Sequence, residues 1–239
     1  MGGPAGVAFG EVAEWSNALA WKASRGDEPL EGSNPSLSAT PRSVHLTLIR
    51  HGPTEWNETG RFQGRTDLPL SALGQAQARA IATALREEGI LKVYSSDLRR
   101  AKATAHAVAG ARAVPLVEDA RLREFDFGRW EGLTWDEILT LDPELARRPR
   151  NAARYYSPPG GESFESVRLR VRAFLDDVIA RNESPIAVVT HAGALHAFCA
   201  ELDLQTTRFS AGGITRITIA GGRARIVSLN DVAHLDSAN

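Results

Sequence analysis

The stretch "HLTLIRHGPTEWN", residues 45–57, decides the fold and locates the candidate site. Together with Val44 it begins with apolar residues at positions 46, 48 and 49, the nearly continuous pattern of a parallel strand that is buried on both faces. The apolar run then ends on Arg50, His51 and Gly52. Because ligands of open α/β sheets bind beyond the carboxyl ends of the strands, a cation and an imidazole at this position indicate an anion site.

The rest of the chain alternates between strand and helix patterns. The predicted elements are, in order, a helix from Ser71 to Gly89, a strand in "LKVYSSD" (91–97), a helix ending at Gly110, a strand around 114–117, a helix around 164–181, a strand in "PIAVVT" (185–190), a helix from Ala192, and a hairpin in "TRITIAGGRARIVSL" (215–229) that turns at Gly221-Gly222. The alternation predicts an α/β fold with three layers: a mostly parallel central sheet, one antiparallel strand, and helices on both faces.

Composition limits the function classes. The chain has 239 residues, of which 43% are hydrophobic and 24% charged, and its formal net charge is −1. This charge leaves no excess suited to nucleic acid or an anionic membrane, so we expect neither as a partner. No apolar run reaches the roughly 20 residues that span a bilayer. The single cysteine, Cys199, excludes an internal disulfide, and we expect a cytoplasmic protein that is neither exported nor membrane-bound.

Residues 1–43 have no sustained helix or strand period, and we interpret them as a disordered or artefactual extension. The sequence Gly32-Ser33-Asn34-Pro35 back-translates to GGTTCGAATCCC, which resembles the T-arm of a transfer RNA. Residues 11–15 likewise resemble the D-arm side of a serine tRNA gene. We therefore expect the protein to begin near Val44 and residues 44–239 to form one domain.

Three predicted junctions between a strand and a helix each carry a cation or an imidazole. Arg50 and His51 follow the first strand, Arg100 lies in the first turn of the helix after the second, and His191 follows "PIAVVT". One guanidinium group can donate two parallel hydrogen bonds to two phosphate oxygens. Two arginines beside helix amino termini could therefore hold a phosphoryl group without a metal ion. Each also has an ordinary interpretation when taken alone: Arg50-His51-Gly52 as a turn at the end of a strand, Arg100 as a solvated helix residue, and His191 as a helix cap.

The other histidines do not indicate a metal site. His45, His106, His196 and His234 have no metal-ligand spacing, and His191 and His196 are five residues apart rather than the four that place two ligands on one helix face. We therefore expect no metal and no cofactor.

Several motifs carry a resemblance to a known family. The segments "LIRHGPTEWN" (48–57), "GRFQGRTDLPLSALGQAQA" (60–78), "YSSDLRRAKATA" (94–105), "RLREFDFGRWEG" (121–132), "PPGGESFESV" (158–167), "VVTHAGAL" (188–195) and "SLNDVAHL" (228–235) occur in that order. Together they resemble the histidine phosphatase superfamily, the phosphoglycerate-mutase-like group, over essentially all of residues 45–235.

This resemblance implies a role for each matching residue. His51 would be the nucleophile that becomes phosphorylated, and Glu124 would be the proton donor. The phosphate pocket would consist of Arg50, Asn57, Arg100 and His191, and the rest of the substrate would contact Gln63 and Gly64. From the residues alone Glu124, within the charged run 121–126, is equally compatible with half of a surface ion pair.

The phosphatase branch is favoured over the mutases. Where mutases follow the acidic residue with Arg-His-Tyr, this chain has "EFDFG" (124–128), so Phe125 and Asp126 replace a basic pair. The segment 144–163 is similar to the short lid of broad-specificity and α-ribazole-type phosphatases. We expect a phosphomonoester hydrolase acting on a small phosphorylated metabolite. A cofactor-dependent mutase-type phosphotransferase, a non-catalytic protein that binds phosphorylated ligands, and a homodimer are the alternatives left open.

Overall fold

A six-stranded sheet forms the centre of the fold in the computed structural model, which describes residues 43–147, 157–206 and 208–236. The strands are β1 (Val44–Arg50), β2 (Lys92–Ser95), β3 (Leu116–Glu118), β4 (Ile186–Thr190), β5 (Ile214–Ala220) and β6 (Arg223–Asp231). Their order across the sheet is β3-β2-β4-β1-β5-β6. The first four run parallel, and β5 is antiparallel to both of its neighbours. The predicted mostly parallel sheet with one antiparallel strand is confirmed.

Helices cover both faces of this sheet. The α-helices are α1 (Glu55–Glu58), α2 (Ala72–Ala84), α3 (Arg99–Arg112), α4 (Trp135–Leu141), α5 (Phe164–Ala180) and α6 (Ala192–Glu201). Side chains of β1 alternate between two cores: Leu48 packs in the core that includes Phe174 of α5, and Ile49 in the core that includes Ile81 of α2 and Ala105 of α3. Full burial of an aliphatic or aromatic side chain contributes about 1.5–3 kcal/mol. The three-layer prediction is confirmed.

The carboxyl ends of β1, β2 and β4 lie together at one edge of the sheet. Arg50 is opposite Thr190 in the parallel pairing, and the His51 N–H donates to the Thr190 carbonyl at 3.0 Å. The N–H of Ser96 donates in the same way to Val189, also at 3.0 Å. The residues that follow these strands therefore converge, as the sequence predicts.

The boundaries of three predicted elements differ from the structure. The first predicted helix ends at Ala84, before Gly89, and α3 continues beyond Gly110 to Arg112. The third strand begins at Leu116 instead of 114. Val114 closes α3 instead, since its N–H donates to the Ala109 carbonyl at 3.2 Å.

Two helices, α1 and α4, are not predicted from the sequence. Each is too short to show a periodic pattern and is fixed by a capping box. In α1 the box joins Thr54 and Asn57, and in α4 it joins Thr134 and Glu137. Side-chain hydrogen bonds at the first turn, rather than an apolar stripe, define these elements.

Parts of two predictions lie outside the described residues. The proposed extension is described only at Ser43, so the extension and the domain boundary stay predictions. Much of the predicted short lid lies within 148–156, outside the described residues, and it also stays a prediction. Across the described residues, no helix combines the length and the apolar character needed to cross a membrane.

Candidate active site

The turn after His51 is packed tightly against the first turn of α2. A Cβ built on Gly52 would lie 2.5 Å from the carbonyl oxygen of Gly74, a separation that no larger residue can accommodate. The Gly52 N–H donates to the Thr104 hydroxyl of α3 at 3.3 Å. Two helices thus fix the backbone that carries the His51 ring.

Two hydrogen bonds define the tautomer of His51. Its Nδ1 lies 2.6 Å from the carbonyl oxygen of Gly52, which can only accept, so Nδ1 carries the proton. Nε of Arg100 donates to Nε2 of His51 at 3.2 Å, which requires a lone pair on Nε2. The nitrogen that faces the arginine is therefore the nucleophilic one.

Arg100 is held by the loop that carries Gly64. Its Nη2 donates to the Gly64 carbonyl at 2.7 Å, and its Nη1 donates to the Thr66 carbonyl at 3.0 Å. The loop is fixed in turn by the Glu131 carboxylate, which accepts the N–H groups of Arg65 and Thr66, both at 2.7 Å. Glu131 therefore orients the carbonyls that orient Arg100.

His191 and Arg50 lie beside His51 and complete the group of side chains around it. The ring centroids of His191 and His51 are 4.9 Å apart. Three buried atoms have no hydrogen-bond partner among the described residues: the two ring nitrogens of His191 and the Nε of Arg50. Arg50 Nη1 donates to the Phe209 carbonyl at 2.7 Å. Buried polar atoms without partners point to a ligand at this position.

Glu124 lies at the amino terminus of α6, next to His191. Its carboxylate accepts the N–H of Phe125 at 2.8 Å and the N–H of Gly193 at 3.2 Å. A Cβ on Gly193 would come within 2.5 Å of the carboxylate. The glycine thus permits a close approach of Glu124 to the helix that His191 begins.

Burial decides between the alternatives that the sequence left open. The exposed fraction is 0% for Arg100 and His191, 3% for His51 and 6% for Glu124. Arg100 is therefore not a solvated helix residue, and Glu124 is not half of a surface ion pair. His191 does occupy the N-cap position of α6, but its side chain makes no capping hydrogen bond.

Both site histidines are neutral at pH 7. Burial, followed by the charge of Arg100, holds the pKa of His51 well below 6.5, and the same two causes act on the pKa of His191. Burial also lowers the pKa of Arg100 to about 10, which leaves its guanidinium charged. A neutral imidazole beside a retained positive charge suits nucleophilic attack on a phosphate.

The free energy of unfolding is expected to fall as the pH decreases below 6.5. The unfolded chain binds protons at His51 and His191 in this range, whereas the folded chain, with both pKa values lowered, does not. Each histidine contributes up to about 1.4 kcal/mol per pH unit. Asp97, whose pKa a hydrogen bond with Arg123 lowers from 3.8, acts only at lower pH.

Urea unfolding between pH 7 and 5 measures this dependence. The double variant His51→Gln/His191→Gln should lose a large part of the slope, while the part due to His234, whose pKa burial also lowers from 6.5, remains. The exposed His45→Gln serves as the control. An unchanged slope in the double variant contradicts the neutral state of the two histidines.

Asn57 and Gln63 are linked through Thr54, and their hydrogen bonds do not reach the site histidines. The Asn57 side-chain oxygen accepts the Thr54 N–H at 3.2 Å, and the Thr54 hydroxyl donates to the Gln63 side-chain oxygen at 2.6 Å. Gln63 in turn donates to the Thr66 carbonyl at 3.4 Å. Within the described part of the chain, their hydrogen bonds support the turns around the site, and their contacts with phosphate or substrate, like that of Gly64, stay predictions.

Sequence reasoning missed Glu131, Glu162 and Arg170. Glu131 supports the loop beneath Arg100, and the other two bind the backbone around Glu124. Glu162 lies in the quoted segment "PPGGESFESV", which could have drawn attention to it. Arg170 is one of three alternating arginines in α5, and nothing in the local sequence distinguishes it.

Groups of three or more His, Cys, Asp or Glu side chains able to hold a metal ion are absent from the described residues. The arrangement places a neutral imidazole, a carboxyl group and two guanidinium groups around one buried position. It can therefore bind a phosphoryl group, attack it through nitrogen and exchange a proton with it.

Comparison with known proteins agrees with this chemistry. Residues 46–232 match the family model described as histidine phosphatase superfamily, branch 1. Phosphoserine phosphatase 1 of Hydrogenobacter thermophilus is 35% identical over 199 residues, which cover 80% of this chain and 94% of that protein.

Solved structures give the same result. Bacillus stearothermophilus YhfR superposes with a TM-score of 0.73 at 32% identity, covering 80% of this chain and 99% of that one. A mycobacterial glucosyl-3-phosphoglycerate phosphatase in complex with VO3 also has a TM-score of 0.73, at 31% identity, with coverage of 79% and 100%. The fold, the motifs and these matches agree, and the chain belongs to branch 1 of the histidine phosphatase superfamily.

Proposed function

We propose that this protein is a phosphomonoester hydrolase that transfers the phosphoryl group of a small metabolite to Nε2 of His51 and then to water. The observation that carries the proposal is the tautomer of His51. Its proton lies on Nδ1, toward Gly52, and its lone pair on Nε2 faces Arg100. The phosphatase names of the relatives support hydrolysis over the mutase-type alternative.

The first step forms the bond between Nε2 of His51 and phosphorus and breaks the bond between phosphorus and the ester oxygen. Arg100 exchanges its hydrogen bond with Nε2 for a bond to a phosphate oxygen, while Arg50 and His191 bind further oxygens with their unpartnered atoms. Glu124 donates its proton to the departing alkoxide.

The second step returns the enzyme to its starting state. The Glu124 carboxylate takes a proton from water, the water oxygen bonds to phosphorus, and the bond between phosphorus and Nε2 of His51 breaks. Inorganic phosphate leaves. The residues that neutralise charge in the first step do so again in the second, since phosphoryl transfer depends mainly on positioning and electrostatics.

The substrate is proposed to be a phosphate ester that carries a carboxylate. Two of the relatives above are named for phosphoserine and glucosyl-3-phosphoglycerate. Each of these compounds carries a phosphate monoester and a carboxylate. We propose hydrolysis of both compounds as the first measurement, with sugar phosphates as the comparison. Release of phosphate from none of these esters, nor from nitrophenyl phosphate, would favour the non-catalytic binding protein.

Hydrolysis is expected to survive a chelator and to be inhibited by vanadate. The proposed groups include no metal ligand set, and vanadate adopts the five-coordinate geometry of phosphoryl transfer at the same cations. Steady-state rates with and without EDTA, followed by a vanadate titration, measure both effects. Activity that disappears with EDTA and returns with a divalent ion would contradict the metal-free mechanism.

We further propose a cytoplasmic location and, as the assembly to test first, a homodimer. Cys199 is unpaired and buried, which suits a reducing compartment. Val227 and Leu229 are exposed on β6, at the edge of the sheet, where a second copy could cover them. Light scattering after size exclusion measures the assembly, and a monomeric mass contradicts the dimer.

A further inference from the structure

The segment that carries Glu124 is held by side chains rather than by a helix or a strand. After the short 3-10 helix Ala120–Leu122, the chain continues without regular structure to residue 127. Buried carbonyl groups require a hydrogen-bond partner, and here the partners come from other elements. The Thr190 hydroxyl, at the end of β4, donates to the Leu122 carbonyl at 2.6 Å. The conformation of the segment thus depends on side chains remote in sequence.

Arg170 of α5 binds the other three carbonyls of residues 121–124. Its Nη1 donates to the carbonyls of Arg121 and Arg123, both at 2.6 Å, and its Nη2 donates to the carbonyl of Glu124 at 3.1 Å. The side chain is only 14% exposed. One guanidinium group therefore fixes three carbonyls of four consecutive residues.

Glu162 fixes the orientation of this guanidinium. Its carboxylate accepts Nε of Arg170 at 3.3 Å and Nη2 at 3.2 Å, and it pairs with Arg65 at 3.0 Å. It also accepts the N–H of Asp126 at 3.1 Å, while the Asp126 carbonyl accepts the Glu162 N–H at 2.9 Å. The backbone is thus bound on both sides of Glu124.

We infer that Arg170, oriented by Glu162, is a positioning residue that holds the Glu124 carboxyl group where it exchanges protons with the ester oxygen. Arg170 contacts the backbone of residues 121–124 and acts through Glu124. The inference rests on the proposed function of Glu124 as proton donor. A general acid must lie within about 3 Å of the atom that it protonates, and an error of 1 Å can cost about 100-fold in rate.

The test compares Arg170→Met with Arg168→Met. Both arginines lie on α5 and pair with a glutamate, but Arg168 pairs with Glu165 and Glu201, away from the segment of Glu124. For an alkyl phosphate, Arg170→Met should lower kcat by about 10–100-fold, and for nitrophenyl phosphate much less, since that leaving group needs little protonation. Arg168→Met should change neither rate.

A double variant separates positioning from general damage. If Arg170 acts through Glu124, then Arg170→Met added to Glu124→Gln should cause no further loss with the alkyl phosphate. Additive losses, or equal losses with both substrates, would overturn the inference. If Arg170→Met does not fold, Arg170→Lys and Glu162→Gln replace it, and the rate with the alkyl phosphate is again compared with the rate with nitrophenyl phosphate.

The single variant Glu124→Gln distinguishes the two claims. If Glu124→Gln does not lower the rate with the alkyl phosphate more than the rate with nitrophenyl phosphate, Glu124 is not the proton donor. The inference then falls together with the proposed function. A specific loss in Glu124→Gln without one in Arg170→Met or its substitutes overturns the positioning role alone.

Discussion

Replacing His51 by alanine is expected to eliminate turnover and the covalent intermediate together. The variant removes Nε2, the atom that bonds to phosphorus, and leaves the backbone of the turn in place. Loss of a nucleophile costs about 10⁶-fold in a well-studied hydrolase, and we expect a loss of at least about 10⁴-fold here. Labelled substrate and rapid quenching measure the intermediate, while phosphate release measures the turnover.

The neighbouring residues make this result specific to His51. Arg100 keeps its bonds to the Gly64 and Thr66 carbonyls without the imidazole, so the pocket should still bind an oxyanion. His106, exposed on α3, provides the matched control, and His106→Ala should retain full activity. A His51→Ala enzyme that still forms a labelled intermediate would show that another residue is the nucleophile.

The variant Glu124→Gln is expected to slow esters of basic alcohols far more than nitrophenyl phosphate. An alkoxide leaves slowly without a proton, and general acid catalysis contributes typically about 10²–10⁴-fold. The N–H groups of Phe125 and Gly193 bind different oxygens of the Glu124 carboxylate, and glutamine keeps only one of these two acceptors. The lost contact affects both esters alike, so the difference between their rate losses measures the missing proton.

Phosphorylation rates from rapid-quench experiments measure this difference before product release limits the rate. Glu165→Gln, on the exposed side of α5, removes a carboxylate outside the site and should leave both rates unchanged. Equal losses for both esters in Glu124→Gln would assign Glu124 a structural role, and His191 would then be the first candidate for the proton donor.

The fold and the centre of the site follow from patterns that are local in sequence. The apolar run before Arg50 and His51 indicates a buried parallel strand, and the rule that ligands bind at the carboxyl ends of such strands brings Arg100 and His191 to the same place. The structure confirms this convergence, with the rings of His51 and His191 4.9 Å apart. Spacing and sheet topology suffice for such a prediction, because both depend on residues near one another along the chain.

The supporting residues could not be predicted in this way, because their partners are remote. Arg170 binds carbonyls 46 to 49 residues earlier in the chain, and Glu131 binds N–H groups 65 and 66 residues earlier. A carbonyl or an N–H group has no sequence signature, since every residue other than proline carries both. Only the folded backbone shows which side chain reaches them.

Capping explains the short helices that the sequence analysis missed. The family resemblance predicts Asn57 as part of the phosphate pocket, and in the structure its side-chain oxygen closes the capping box with Thr54. One residue type serves both purposes, so sequence alone does not separate them. An Asn57→Ala variant combined with phosphate binding would decide whether the amide also contacts the phosphoryl group.

The central claim is that His51 carries the phosphoryl group on Nε2. The most direct measurement is ³¹P NMR of the enzyme denatured in alkali at the point where the intermediate accumulates, combined with mass spectrometry of the labelled peptide. Because Nδ1 of His51 donates a hydrogen bond to the Gly52 carbonyl at 2.6 Å, we expect the phosphoryl group on Nε2. This phosphoramidate should be stable in alkali and labile in acid. Phosphate on Nδ1, on His191, or on a hydroxyl or carboxyl group would contradict the account.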